Sequence, residues 1–223
     1  MECDQIINEI VSALATLVAA FAGAGFAFYL QDKKERRKEE VQRISSLNQA
    51  LLALARQYQA LGNIKNDIDP FREDKLRYAS APALSTNEFS DIKIKIETLG
   101  FLVDSSDPNL LMEIMLEQER FEMALKAVQL RSETHVTKFQ PAYAKLGIDG
   151  GVIRIADFRL TLGALLADAL KNETDQMYKQ IYETYDSTLM VLNKLRAHAK
   201  QIYPKEKFLG IANPNSSSPA SAD

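Results

Sequence analysis

The sequence predicts an all-α protein: a single amino-terminal transmembrane helix that continues into a cytoplasmic antiparallel bundle of about four to five helices. Three observations carry this. Residues Ile10 to Leu30 form a run of 21 without a charge. Along most of the remaining chain, apolar residues recur at alternating steps of three and four. One short stretch, Ile92-Lys93-Ile94-Lys95-Ile96, alternates like a strand, but no second strand is present to pair with it.

The uncharged run reaches about 31 Å as a helix, the thickness of a bilayer hydrocarbon core. Ile10, Val11, Leu14, Leu17, Val18, Phe21, Phe26, Phe28 and Leu30 supply about −3 to −5 kcal/mol of insertion free energy. Gly23, Gly25, Ser12 and Thr16 oppose it. Ala20-Phe21-Ala22 and Ala22-Gly23-Ala24 resemble cleavage sites, but Glu2, Asp4 and Glu9 stand where an export signal carries positive charge. A buried helix of a soluble protein would show a polar stripe, and this run has none. An anchor is therefore expected at residues 10–30, after a short stub at 1–9.

Lys33, Lys34, Arg36, Arg37 and Lys38 form a basic flank immediately after the run. The positive-inside rule places them in the cytoplasm, with the stub outside and Tyr29 at the interface. The expected location is the cytoplasmic (inner) membrane, crossed once. Ala15, Ala19, Gly23 and Ala27 recur every four residues and would form a face for close helix packing. The lipid bilayer is thus one expected partner and a second copy of the chain another. Nucleic acid is not expected: the formal net charge is −3, and beyond residue 43 the chain is nearly balanced. Cys3 is the only cysteine, which excludes an intrachain disulfide and a cysteine-based zinc site.

Residues 31–64 read as the basic juxtamembrane segment and first bundle helix, without a hinge. Ile44, Leu47, Leu51, Leu54, Tyr58 and Leu61 form a heptad seam there. The bundle proper is expected over 65–208. Asp69-Pro70 and Ala81-Pro82 break the pattern, and the first of them precedes a short expected helix over Phe71–Tyr78. A helix is predicted across 91–103, with Phe89, Ile92, Ile96, Leu99 and Val103 inward. Asp107-Pro108 reads as the capped start of a long helix to about Lys138, ended by Pro141. Its seam is Leu111, Ile114, Gln118, Phe121, Leu125, Val128, Ser132 and His135. Residues 152–170 read as a central helix. Asn172 and Asp175 mark a capping box before a last helix, which buries Tyr178, Ile181, Tyr185, Leu189, Leu192, Leu195 and Ile202 and stops at Pro204. Residues 209–223 have too little apolar area to fold and read as a disordered tail.

Catalytic motifs are missing. There is no phosphate-binding loop, no HExxH pair and no Glu-x-x-His repeat. The strongest polar constellation is Glu117, Gln118, Arg131, Ser132 and His135 on the long helix. As a function, Gln118, Arg131, Ser132 and His135 would line a small binding pocket. As structure, they would be buried hydrogen-bonding groups that fix register, with Arg154, Asp157 or Asp168 as partners, and the second reading is the stronger. Ser132 and His135 lie one turn apart, but nothing marks an oxyanion hole or an orienting carboxylate. Tyr178, Tyr182 and Tyr185 read as core or interface. The function expected is a non-enzymatic, self-associating, membrane-tethered interaction or scaffold module with protein partners and no metal or cofactor. The alternative is a membrane-active effector or pore component, whose small-residue span oligomerises under control of the bundle. The third is an enzyme with an unrecognised site.

Overall fold

The computed structural model describes residues 2–144 and 163–210, with side chains from residue 21 onward except residue 22. Among these the regular elements are five α-helices with 3-10 and π turns, and no strand. The chain divides into two units, residues 1–45 and 46–223.

The first unit is helical: α1 runs Glu2–Ile68 and passes through it. Phe21, Phe26, Phe28, Tyr29 and Leu30 are all exposed, Phe21 by 72%. The flank residues Lys33, Lys34, Arg36, Arg37 and Lys38 are exposed too. Arg36 pairs with Asp32 at 2.9 Å, one turn back along the helix. Among the described residues no helix is long and apolar enough to cross a membrane. Residues 10–20 and 22 of the expected span lie outside those whose side chains are described.

The second unit is built on three long helical stretches: residues 46–68 of α1, α3 (Asn109–Thr134) and α5 (Ala164–Ile202). Short α2 (Arg77–Ser80) and α4 (Gln140–Ala144) lie between them. The seam of α1 is buried at Leu47, Leu51, Leu54 and Leu61, and continues through Ile64 to Ile68. Ile64 and Ile68 meet Phe121, Leu125 and Val128 of α3 and Met177, Tyr178 and Ile181 of α5 in one core. Each fully buried side chain of this size contributes about 1.5–3 kcal/mol. α1 ends where Pro70 enters a 3-10 turn, Asp69–Phe71. The terminal carbonyl of Ile68 accepts the Tyr178 hydroxyl at 2.7 Å, which satisfies an orphan acceptor of the helix end.

Several elements differ from the sequence reading, each for a physical reason. Residues 92–95 are in neither helix nor strand, with the Ile96 N–H turned back onto the Ile94 carbonyl at 3.0 Å, and a nine-residue 3-10 helix, Ile96–Asp104, follows. With three residues per turn, Leu99 and Leu102 share the inner face, so Leu102 is buried and Val103 is exposed by 54%. The short helix near Pro70 forms later than expected, at Arg77–Ser80. Asp107 does not cap α3: Pro108 occupies the cap position, and the Asp107 carboxylate pairs with Lys194 at 3.1 Å. Pro141 does not end the helix. A π turn, His135–Phe139, joins α3 to α4 and admits Pro141 as the second residue of α4. Asn172 and Asp175 are interior to α5, which starts after Gly163 at a positive φ of 81°. Asp175 is held there by Arg77 of α2 at 2.7 Å. Ile202, expected inside, is 36% exposed at the end of α5. Residues 145–162, most of the expected central helix, and 211–223 of the expected tail lie outside the described residues.

Candidate functional site

The polar residues on α3 separate into three groups. At the first, Gln118 meets a residue the sequence reading passed over, Gln57 of α1, which is fully buried. Its Nε2 donates to Gln118 Oε1 at 2.8 Å and lies 3.4 Å from the Ile92 carbonyl. The Ile94 N–H donates to the same Gln118 Oε1 at 3.0 Å. Two glutamines from two helices therefore receive segment 92–95 and take hydrogen bonds that a neighbouring strand would have supplied. Ile92 and Ile94 are buried and Lys93 and Lys95 exposed, so the period-two pattern is real without a sheet. The signal for Gln57 was available, since Leu54, Gln57, Leu61 and Ile64 are also spaced by three and four.

Glu117, on the adjoining face, is wholly buried against α5. Its Oε1 accepts the hydroxyls of Thr188 at 2.6 Å and Ser187 at 2.9 Å. Its Oε2 lies 3.5 Å from the half-exposed Arg120 guanidinium. These contacts join α3 to α5 through a charge that hydrogen bonds from α5 compensate.

The third group gathers Arg131, Ser132 and His135 on one stretch of backbone. Arg131 is fully buried and donates to the carbonyls of Tyr78 at 3.2 Å, Ala81 at 2.5 Å and Pro82 at 2.5 Å. Ser132 Oγ accepts the Leu84 N–H at 2.9 Å. His135 Nε2 lies 3.2 Å from the Ala79 carbonyl, and its ring stacks on Phe139 with centroids 4.9 Å apart. Of the expected partners, Asp168 is exposed, and Arg154 and Asp157 lie outside the described residues. Instead, Thr134 Oγ1 donates to Glu173 at 3.2 Å. Burial pushes the Arg131 pKa down to about 10, with Tyr178 and Glu173 opposing, so it stays charged at neutral pH. Gln118 does not join this group.

Chemically, this arrangement binds main chain. The end of α2 and the irregular chain after it, residues 78–84, turn four carbonyls and the Leu84 N–H toward α3, where one guanidinium and one imidazole meet the carbonyls and one hydroxyl accepts the N–H. Ser132 and His135 are each engaged with a different backbone group. Among the described residues no three His, Cys, Asp or Glu side chains gather as a metal site would.

Burial holds the His135 imidazole below its ordinary value of 6.5, the Ala79 carbonyl opposes this and Arg131 adds to it. The unfolded chain therefore takes up the proton first as pH falls, and the stability this group contributes, complete above 6.5, is lost below it. The melting temperature should fall between about pH 7 and pH 5, and His135→Gln should flatten that slope. An unchanged slope in the variant would assign the dependence elsewhere.

The tyrosines of α5 pack against α1. The Tyr185 hydroxyl donates to that of Tyr58 at 2.5 Å and the two rings stack at 4.4 Å. Burial, and then this bond, push the Tyr58 pKa up to about 12. A Cβ on Gly62 would stand 3.3 Å from the Tyr185 ring, so α1 passes the stack at a residue without one. Tyr182 carries Lys65 and Arg72 over its ring, at 4.9 and 4.5 Å.

Of the expected small-residue face, Gly23 and Ala27 are exposed, and a Cβ on Gly23 would meet nothing within 4 Å. Ala15 and Ala19 lie outside the residues whose side chains are described. Comparison with family models, with curated proteins and with solved structures finds no match for this chain.

Proposed function

We propose that this chain is a membrane-tethered helical interaction module: residues 10–30 anchor it, and the helical unit after residue 45 meets protein partners in the cytoplasm, a second copy among them. The observation that carries this reading is the 21-residue uncharged run ending at Leu30, followed within three residues by the basic flank. The exposed Phe21, Phe26, Phe28, Tyr29 and Leu30 support it, since aromatic and aliphatic surface of this density calls for lipid or a partner. The polar residues of α3 support the non-enzymatic part, because their hydrogen bonds are spent on the chain's own backbone and on side chains of α1 and α5.

The test is membrane fractionation of the full chain. It should sediment with membranes, resist an alkaline carbonate wash, and dissolve in detergent. Leu17→Arg places a charge near the middle of the span at about 2.5–3.5 kcal/mol, most of the insertion margin, and should shift a large share into the soluble fraction. A membrane-impermeant maleimide should label Cys3 in intact cells. Full solubility of the unaltered chain without detergent would overturn the anchor, and labelling only after lysis would overturn the orientation.

A further inference from the structure

We infer that the outer face of α3 is a self-pairing surface, on which a second copy of this chain lays its own α3 antiparallel across a two-fold axis. This rests on the self-association in the proposed function but not on the membrane anchor. On the face of α3 turned away from the core, Met112, Leu116, Met123 and Leu130 are exposed by 58, 43, 57 and 52%. With Glu119 and Lys126, both exposed, they complete a stripe stepping by four and three residues, the geometry of a helix–helix seam. Met190 of α5, 66% exposed, widens the stripe beside Leu116. Two grooves between α3 and α5, of about 350 and 410 Å³, flank it at Leu116 and Met123.

The charges specify a second copy as the occupant. When the stripe is laid antiparallel on itself with the two-fold midway between Glu119 and Met123, Met112 faces Leu130 of the second copy and Leu116 faces Lys126. Glu119 then lies within one turn of Lys126 of the second copy, and the two-fold makes this pair twice. A partner of unrelated sequence would have to supply both the apolar register and the two opposed charges. Residues 112 to 130 span about 27 Å of helix. A seam of that length buries on the order of 1,000 Å² in total, at the lower edge of stable interfaces, so the dimer should be concentration-dependent.

The experiment measures the mass of the full chain in detergent by light scattering across a concentration series. The unaltered chain should pass from monomer to dimer. Leu116→Lys with Met123→Lys should raise the dissociation constant at least tenfold. Glu119→Lys and Lys126→Glu should each weaken the dimer, and the two together should restore it, a rescue that a merely structural role would not show. Unchanged melting curves would confirm that these exposed substitutions leave the fold intact. If the chain dimerises but neither the lysine pair nor the charge reversals alter it, while Gly23→Leu does, self-association stands and this surface is overturned. A chain that stays monomeric throughout overturns both, and fractionation still reports separately on the anchor.

Discussion

Arg131→Met should remove about 3–5 kcal/mol from the stability of the second unit, enough to leave many domains of this size partly unfolded. Methionine nearly fills the same space, so the loss is not one of volume. It comes from the three carbonyls, at Tyr78, Ala81 and Pro82, that lose their donor. A buried acceptor left without a partner costs about 1–3 kcal/mol, and water reaching the edge of the segment recovers part of the sum. Replacing a buried ion with an apolar side chain is often neutral where its partner goes too, but here the partners are main chain and remain. Arg131→Lys should recover only part of the loss, because a point charge cannot fork across three carbonyls. Ser132→Ala, which removes one bond to the Leu84 N–H, should cost about 1 kcal/mol. Denaturant melts in detergent, with protease sensitivity of segment 78–84 as a local readout, measure both. A loss below about 1 kcal/mol for Arg131→Met would mean that water already serves these carbonyls.

How far the sequence revealed this clamp depends on which partner is asked about. The spacing from Phe121 through Val128 to Ser132 and His135 places those side chains inward, because a helical period shows which positions face the core. The polar partners are main-chain groups of residues 78–84, carbonyls for Arg131 and His135 and an N–H for Ser132, and nearly every residue carries both, so no residue type marks them. The same limit explains segment 91–104. Its isoleucines fit a period of two and nearly fit one of 3.6, while the true arrangement is irregular through residue 95 and then 3-10. What decides it is the glutamine pair on two other helices, distant in sequence. The start of α5 is not legible because Asn172 and Asp175 match a capping box, and only tertiary structure shows Asp175 paired with Arg77 inside the helix. The seam of α1 was legible, since a long uninterrupted period leaves few alternatives, though its inner edge runs through Gln57 and not Tyr58.

Phe121→Ala should cost about 3–5 kcal/mol, a loss comparable to that of Arg131→Met but from a different source. Phe121 is 1% exposed and packs in the core that joins Ile64 and Ile68 of α1, Ile92 before the 3-10 helix, and Met177 and Ile181 of α5. Removing its ring forfeits the transfer free energy and leaves a cavity between helices that cannot all close on it, because the Gln57–Gln118 bond and the Tyr178–Ile68 bond hold their spacing on either side. Phe121→Leu, which refills most of the volume, should cost less than half as much. Met112→Ala on the opposite face should change stability by under about 0.5 kcal/mol in the monomer. The distinction from Arg131 lies in the response to small apolar ligands: a cavity at Phe121→Ala should bind benzene and regain stability, and no such rescue should follow at Arg131→Met. A Phe121→Ala protein as stable as the Phe121→Leu one would show that the three helices collapse onto the gap, and that the core is less constrained by its polar bonds than this packing implies.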